Sequence, residues 1–139
     1  MKIDFNYETT LDIRESDYID WISRVLNFHK TRLGQLSYVF CKDDYLLEIN
    51  KKYLDHDTYT DIITFDYSVQ GEISGDVFIS LERVKENSKK FEVDFHEELR
   101  RVMVHGVLHL LGFSDGTDEQ KSAMREEENK MMELFHVEQ

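Results

Sequence analysis

The sequence of 139 residues contains no proline and a single cysteine, Cys41. One cysteine excludes an internal disulfide framework and favours a reducing compartment, so we expect a cytoplasmic protein. No apolar run approaches the roughly 18 residues that a membrane-spanning helix needs, and the N-terminus lacks the apolar stretch of a secretory signal. These absences argue against a disulfide-rich secreted protein and against a membrane protein.

Positive charge is also scarce. The 17 Lys and Arg residues face 29 Asp and Glu residues, and the net charge at pH 7 is −12. Because phosphate contacts in proteins come from Lys and Arg, this composition argues against a broad nucleic-acid-binding surface. Any RNA contact would need a local basic patch, and we expect it to involve one of three doublets: Lys51-Lys52, Lys89-Lys90 and Arg100-Arg101.

Apolar periodicity predicts an α+β fold in a single domain spanning residues 1–139. Strands are predicted at 3–7, 36–41, 61–67 and 75–80. Helices are predicted at 17–33, 43–53 and 81–91, from Asp94 to just before Gly112, and from Thr117 to about 135. We expect the first helix to end at Gly34, and a turn at Gln70-Gly71 to join the last two strands. This pattern predicts a small mixed sheet of about four strands, with one crossover, packed against helices.

The central helix carries the most informative pattern. Residues 102–113 are apolar except for His105 and His109, which lie four positions apart and therefore share a helix face, roughly 6 Å apart along the axis. A helix that is apolar all round is normally buried, and a buried imidazole needs partners for its ring nitrogens. Two aligned imidazoles in such a place favour a metal site.

A third ligand is expected just beyond the helix. Gly112 lets the chain leave sharply, so that Asp115 can return to the two histidines, although Asp118 is a nearby competitor. Three protein ligands leave a fourth zinc position for water, the open arrangement of catalytic zinc, and zinc lowers the pKa of such a water to roughly 7. The spacing therefore predicts hydrolysis by a zinc-activated water.

The same spacing occurs in the metzincin proteases, in which a glutamate directly follows the first histidine and acts as the general base. Here that position is Gly106. The protease mechanism therefore lacks its base, and a metallopeptidase remains only an alternative.

Three stretches of the sequence resemble the YbeY family of zinc-dependent endoribonucleases, which act in ribosomal RNA maturation. Residues 105–114 (HGVLHLLGFS) match the family pattern H-G-x-L-H-L-x-G-[YF]-x-H position by position. Residues 50–65 (NKKYLDHDTYTDIITF) resemble N-x-x-[FY]-R-x-x-D-x-x-T-[DN]-V-L-[ST]-F, and residues 75–80 (GDVFIS) resemble G-D-I-x-I-S. The resemblance implies a three-layer α+β fold, one catalytic metal, single-stranded RNA as the substrate, and the ribosome or its assembly factors as partners.

Two positions depart from the family pattern. Asp115 stands where the family usually has a third histidine; it keeps a zinc ligand type but is harder and negatively charged, which leaves room for another divalent ion. Leu54 stands where the family has an arginine to which a role in activity is attributed. Whatever that arginine supplies must come from elsewhere in this chain or be missing.

Several side chains are candidates for contact with RNA. Arg101 lies one helical turn before His105 and can meet a phosphate, the alternative being an ion pair with Glu97. His56 can replace the missing arginine by donating to phosphate, the alternative being a solvated loop histidine. Among the basic doublets we select Lys51, Lys52 and Arg100 for RNA binding. Tyr53, Tyr59 and Phe65 are candidates for stacking on bases, although Phe65 also fits a core position.

Together the residues and the resemblance predict a metal-dependent endoribonuclease for single-stranded RNA. It would act in maturation of the 16S ribosomal RNA 3′ end and in ribosome quality control. A metal-activated water would attack the phosphodiester, and attack by the substrate's own 2′-hydroxyl is equally compatible with the sequence. Two alternatives stay open: a zinc metallopeptidase, and a non-catalytic ribosome-assembly factor with a structural metal. The missing arginine and the acidic surface make the assembly factor a stronger alternative than the family resemblance alone would suggest.

Overall fold

A computed structural model describes residues 2–136 and has the α+β architecture that the sequence predicts, with four strands and five helices in this part of the chain. The strands are β1 (Lys2–Tyr7), β2 (Arg32–Cys41), β3 (Ile62–Asp66) and β4 (Glu72–Ser80). The helices are α1 (Glu15–Phe28), α2 (Asp43–Leu54), α3 (Leu81–Lys90), α4 (Phe95–Leu110) and α5 (Asp118–Met132). None of the helices between residues 2 and 136 has the length and apolar character to span a bilayer.

The four strands form one mixed sheet in the order β1-β2-β4-β3. β1 is parallel to β2 and β2 is parallel to β4, whereas β3 and β4 form an antiparallel hairpin. Parallel neighbours require crossover connections, so the chain makes two crossovers, through α1 and through α2, where we expected one. The strand order places β3 at one edge of the sheet.

The two faces of the sheet have different cores, because successive side chains of a strand point to opposite faces. On one face, residues such as Tyr38, Val77 and Ile79 pack with α1, α4 and α5 in the main core. On the other face, α2 packs Leu46 against Cys41 and Ile63 in a smaller cluster. The resulting helix–sheet–helix layering places the β3 edge between α4 and α2.

The predicted end of the first helix is wrong. α1 ends at Phe28, and Lys30, with φ of 54°, turns the chain so that the Thr31 amide donates to the Leu26 carbonyl. Gly34, expected to end the helix, lies inside β2, where a Cβ would be 2.1 Å from Ser74 Oγ. This glycine therefore serves a close approach within the sheet and does not act as a helix cap.

Glycines shape the contact between α4 and the sheet and the end of the helix. The Asp94 side chain caps the helix by accepting from the His96 amide. Gly106 faces the sheet, where a Cβ would be 3.0 Å from Val77 Cγ1 and 3.2 Å from Ile62 Cδ1. Gly112, with φ of +104°, then ends the helix in a conformation that favours glycine. The glycines thus bring the histidine face of α4 to the β3 edge.

Candidate metal centre

The structure brings His105, His109 and Asp115 together. One ligand atom from each side chain lies within 4.8 Å of the others. The two Nε2 atoms are 2.9 Å apart, and Asp115 Oδ2 lies 3.3 Å from His105 Nε2 and 3.4 Å from His109 Nε2. Asp118, the competing candidate, begins α5 and does not belong to this group.

The two histidines are not fully buried, contrary to our expectation for this helix. Their side chains are 22% and 29% exposed, and that of Asp115 is 43% exposed. The exposed part of each imidazole faces a cavity beside the β3 edge, whereas the neighbouring apolar residues of α4 face the core. An ion at this position is therefore accessible to a substrate.

The hydrogen bonds of the imidazoles test whether the group fits a metal. His105 Nδ1 lies 2.6 Å from Glu128 Oε2, and His109 Nδ1 lies 3.0 Å from the Phe113 carbonyl oxygen. Both partners only accept, so both Nδ1 atoms carry the proton, and the Nε2 lone pairs face each other. Two opposed lone pairs beside a carboxylate are satisfied by a metal ion between them, or by a proton on one of the two rings. The arrangement matches that of metal-ligating histidines, whose second nitrogen donates to a carboxylate or a carbonyl.

The distances also agree with a divalent ion. Tetrahedral zinc, with bonds near 2.0–2.1 Å, places its ligand atoms about 3.3 Å apart. The two distances from Asp115 Oδ2 to the imidazole nitrogens match this value, and the Nε2–Nε2 separation is slightly shorter. Two imidazoles and one carboxylate on one side of the ion leave the cavity side open for other ligands.

Glu128 anchors the centre from α5. Its carboxylate is only 5% exposed, and its second oxygen accepts a bond of 3.1 Å from Arg101, which also donates to Asn129. Burial lowers the pKa of His105, but the hydrogen bond and charge of Glu128, with the charges of Asp115 and Asp61, outweigh burial and raise this pKa overall. Glu128 therefore holds the ring in place and stabilises positive charge on it.

Two cavities meet at the centre. The first, of about 620 Å³, lies along β3 and the loop after α2, and the second, of about 350 Å³, lies between α3, α4 and α5. Asp61, His105 and Asp115 line both cavities. Burial raises the pKa of Asp61, although the nearby charge of His105 opposes the shift. An extended substrate in these cavities passes the metal ligands and the Asp61 carboxyl.

Three predicted positions lie at these cavities. His56 lines the first cavity because Asp55, with φ of 55°, ends α2 and turns the chain. Leu54 lines it too, at the position of the family arginine, and among residues 2–136 no Lys or Arg contributes to its wall. Arg101 lines the second cavity and pairs there with Glu128, whereas the alternative pair with Glu97 is not formed.

The predicted RNA-binding residues lie outside both cavities. Lys51 pairs with Glu48 and Asp57, and the Lys52 amino group lies 5.2 Å from the centre of the Tyr53 ring. Arg100 points away from the centre, because its guanidinium hydrogen-bonds Tyr18 and stacks 4.4 Å from the Phe135 ring centre. Their role in RNA binding stays a prediction.

Sequence reasoning missed two residues of the centre, Glu128 and Arg125. Arg125 lines the second cavity. Among residues 2–136, no carboxylate is close enough to Arg125 to form an ion pair with it. Glu128 shares the buried face of α5 with Met124 and Met131. An acid at an otherwise apolar core position was the available signal, since a buried carboxylate needs a partner.

The fold and the centre define a class: an α+β protein with an open site for a catalytic divalent ion at a sheet edge. Comparison with known proteins gives the family. The family model described as Endoribonuclease YbeY matches residues 3–136, and the chain belongs to this family. Proteins named Endoribonuclease YbeY from Flavobacterium psychrophilum and Flavobacterium johnsoniae are 52% and 49% identical to it, with 99% of each chain covered.

A solved structure supports the architecture. The solution structure of a Thermotoga maritima protein is similar with a TM-score of 0.70 over 96% of this chain and 89% of that chain. The two sequences are 24% identical, so the likeness concerns the fold. The family assignment also agrees with Gly106, which stands where a metzincin protease has its glutamate and packs closely on Val77.

Proposed function

We propose that this protein is a metal-dependent endoribonuclease that cleaves single-stranded RNA in maturation of the 16S ribosomal RNA 3′ end and in ribosome quality control. The observation that carries the proposal is the convergence of His105, His109 and Asp115 at the wall of a cavity of about 620 Å³. Cavities of this size accommodate small organic ligands, and thus a nucleotide. Membership of the endoribonuclease family supports RNA as the substrate.

We propose one Zn²⁺ ion as the resident metal, with another divalent ion as the alternative because Asp115 is a harder ligand than histidine. When bound, such an ion polarises a phosphoryl oxygen and makes water a stronger nucleophile. The protein's own contribution is to fix the ligands: Glu128 and the Phe113 carbonyl hold both imidazoles with their Nε2 atoms toward the ion. With both imidazoles fixed, a bound ion would be presented to a phosphate in the cavity.

Different side chains are proposed to supply positive charge to the substrate in the two cavities. His56 is the candidate donor to phosphate in the first cavity, where Leu54 replaces the family arginine. Arg101 is the candidate cation in the second cavity, and Arg125 stands beside it. RNA that follows both cavities would therefore meet a histidine on one side of the metal and guanidinium groups on the other.

The wider assignments follow from the same family. We propose that Lys51, Lys52 and Arg100 contact RNA outside the cavities, and that residues 1–139 act as one domain. The expected partners are ribosomal RNA and the ribosome or its assembly factors, in the cytoplasm. A non-catalytic assembly factor remains the second candidate, because the first cavity lacks the family arginine.

A ribonuclease assay separates these functions. We expect the purified protein to cleave single-stranded RNA, a chelator to stop cleavage, and His109→Ala to abolish both cleavage and stoichiometric metal binding. His136→Ala, which changes an exposed histidine outside the centre, is the matched control. His56→Ala should reduce cleavage without changing bound metal. Cleavage of casein but not of RNA would establish a peptidase, and metal binding without any hydrolysis would favour the assembly factor.

A further inference from the structure

An aromatic groove lies on the face of the sheet covered by α2. Its volume is about 380 Å³, and five of its seven lining residues are aromatic. They are Tyr45 and Tyr53 of α2, Phe65 of β3, Tyr67 just after β3, and Phe78 of β4. Clustered exposed apolar surface on a protein usually marks a binding site. The three tyrosines are exposed by 42%, 60% and 61% in chain order.

The rings of the groove are fixed in place. Phe65 contacts Tyr53 edge-to-face, with ring centres 5.9 Å apart, and contacts Phe78 in the same way at 5.8 Å. Tyr67 lies beside Asp76 in the wall of the groove. Phe65 and Phe78 thus form the floor, and Tyr53 and Tyr67 stand on it with ring surface open to solvent. Such exposed, preorganised rings are stacking platforms for planar groups.

The groove continues the metal cavity around the open edge of the sheet. Leu54 and Thr64 line the metal cavity, whereas Tyr53 and Phe65, their neighbours in the chain, line the groove. Along the strand direction Tyr67 lies about 10 Å from Thr64. Among the strands of residues 2–136, β3 pairs with β4 alone. A flexible chain that leaves the metal cavity over this edge therefore enters the aromatic groove.

The groove has one carboxylate in its wall, Asp76, and one cation beside its exposed ring Tyr53. The Lys52 amino group lies 5.2 Å from the Tyr53 ring centre, and Lys51 is its neighbour on α2. No lysine or arginine within residues 2–136 lines the metal cavity itself. Proteins that bind single-stranded nucleic acids stack bases on aromatic rings and place cations along the phosphates. The groove supplies the aromatic rings, and Lys52 beside Tyr53 supplies a cation for a phosphate.

We propose that the aromatic groove binds unpaired bases of the RNA strand on one side of the cleaved phosphate, with Tyr53 and Tyr67 as the stacking surfaces. This inference rests on the proposed function and adds to it the source of single-strand selectivity. Bases in a duplex stack on each other and are closed to an aromatic side chain, whereas unpaired bases are open to it. The groove is therefore a substrate-binding surface separate from the metal ligands.

The test measures binding and cleavage separately in single-residue variants of the whole protein. Binding of a fluorescein-labelled single-stranded RNA of about 15 nucleotides is followed by anisotropy in the presence of EDTA, and kcat and KM are measured with added metal. The variants Tyr53→Ala and Tyr67→Ala remove one ring each from the surface. Tyr67→Phe keeps the ring, and Phe28→Ala removes an exposed ring, 56% accessible, that lies outside the groove.

We expect each alanine variant to weaken RNA binding and to raise KM about tenfold, the loss typical of one stacked base, with kcat, bound metal and melting temperature unchanged. Tyr67→Phe and Phe28→Ala should bind RNA like the unchanged protein. Equal affinity of both alanine variants and the unchanged protein would overturn the inference and leave the proposed function standing. If these variants instead lose binding to ribosomal proteins, the groove is a protein-docking surface and the inference is wrong. Tyrosine-dependent binding without any cleavage would support the groove and remove the proposed catalysis.

Discussion

Replacing Glu128 by glutamine should weaken metal binding although Glu128 does not itself belong to the three ligands. In the folded protein the two carboxylate oxygens accept from two different donors, His105 Nδ1 at 2.6 Å and Arg101 at 3.1 Å. A glutamine amide has one acceptor oxygen, so one donor must face its NH₂ group. The side chain is 5% exposed, and water does not readily replace the lost bond.

The expected size of the effect follows from this contact. Loss of a carboxylate that orients a ligating histidine typically reduces metal affinity by about 10- to 100-fold, which corresponds to about 1.4–2.7 kcal/mol. In metal-free Glu128→Gln the pKa of His105 should also fall, because Glu128 is the main group that raises it. The first effect is measured by competition with a chromophoric chelator and the second by NMR titration of the imidazole.

The control is Glu126→Gln, which removes one negative charge from an exposed position of the same helix. It separates the specific contact from the change in net charge. If both variants bind the metal with the same affinity, Glu128 does not support the centre, and our interpretation of the His105 tautomer is wrong.

Three further predictions concern packing and ionisation. In Gly75→Ala the new Cβ would lie 2.5 Å from the Phe65 carbonyl oxygen. We expect the free energy of unfolding, measured in urea, to fall by about 1–3 kcal/mol. Gly116→Ala, at a loosely packed position, is the control and should change this free energy little. Burial, together with the charges of Glu8 and Asp43, raises the pKa of the Cys41 thiol to about 12. Iodoacetamide should therefore label Cys41 only after the protein unfolds. Rapid labelling of the native protein would contradict the burial of this thiol. Burial also raises the pKa of Glu98 above its unfolded value, so folding stability falls as pH rises above that value. Metal-free Glu98→Gln should therefore melt higher than the unchanged protein at about pH 8, with the difference vanishing near pH 4, whereas a constant difference would exclude ionisation as the cause.

The candidate metal ligands were predictable because their geometry is local. His105 and His109 share a helix face through their spacing alone, and Gly112 permits the return of Asp115 within a few residues. Glu128 was not predictable in the same way, since α5 meets α4 only through tertiary packing. Residues 126–128 are three consecutive glutamates. Only Glu128 lies on the same helix face as Met124 and Met131, and this spacing alone distinguishes it in the sequence.

The fold class was likewise predictable from periodicity, and the errors arose where long-range contacts decide. Gly34 looks like a helix end in the sequence, but its position is set by the side chain of Ser74 on a neighbouring strand. The strand order, which brings β4 between β2 and β3, sets the open β3 edge and hence the place of the cavities. No local pattern around Leu54 indicates that this residue lines the metal cavity. Only the resemblance to the family, which has an arginine at this position, marked it as a functional position.

The central claim is that one ion held by His105, His109 and Asp115 enables this protein to cleave RNA. The most direct measurement is the initial rate of single-stranded RNA cleavage by chelator-treated protein as Zn²⁺ is added in increments. We predict no cleavage without metal and a rate that rises linearly and levels off at one equivalent of bound ion. Full cleavage by the metal-free protein, or an unchanged titration with His109→Ala, would contradict the claim.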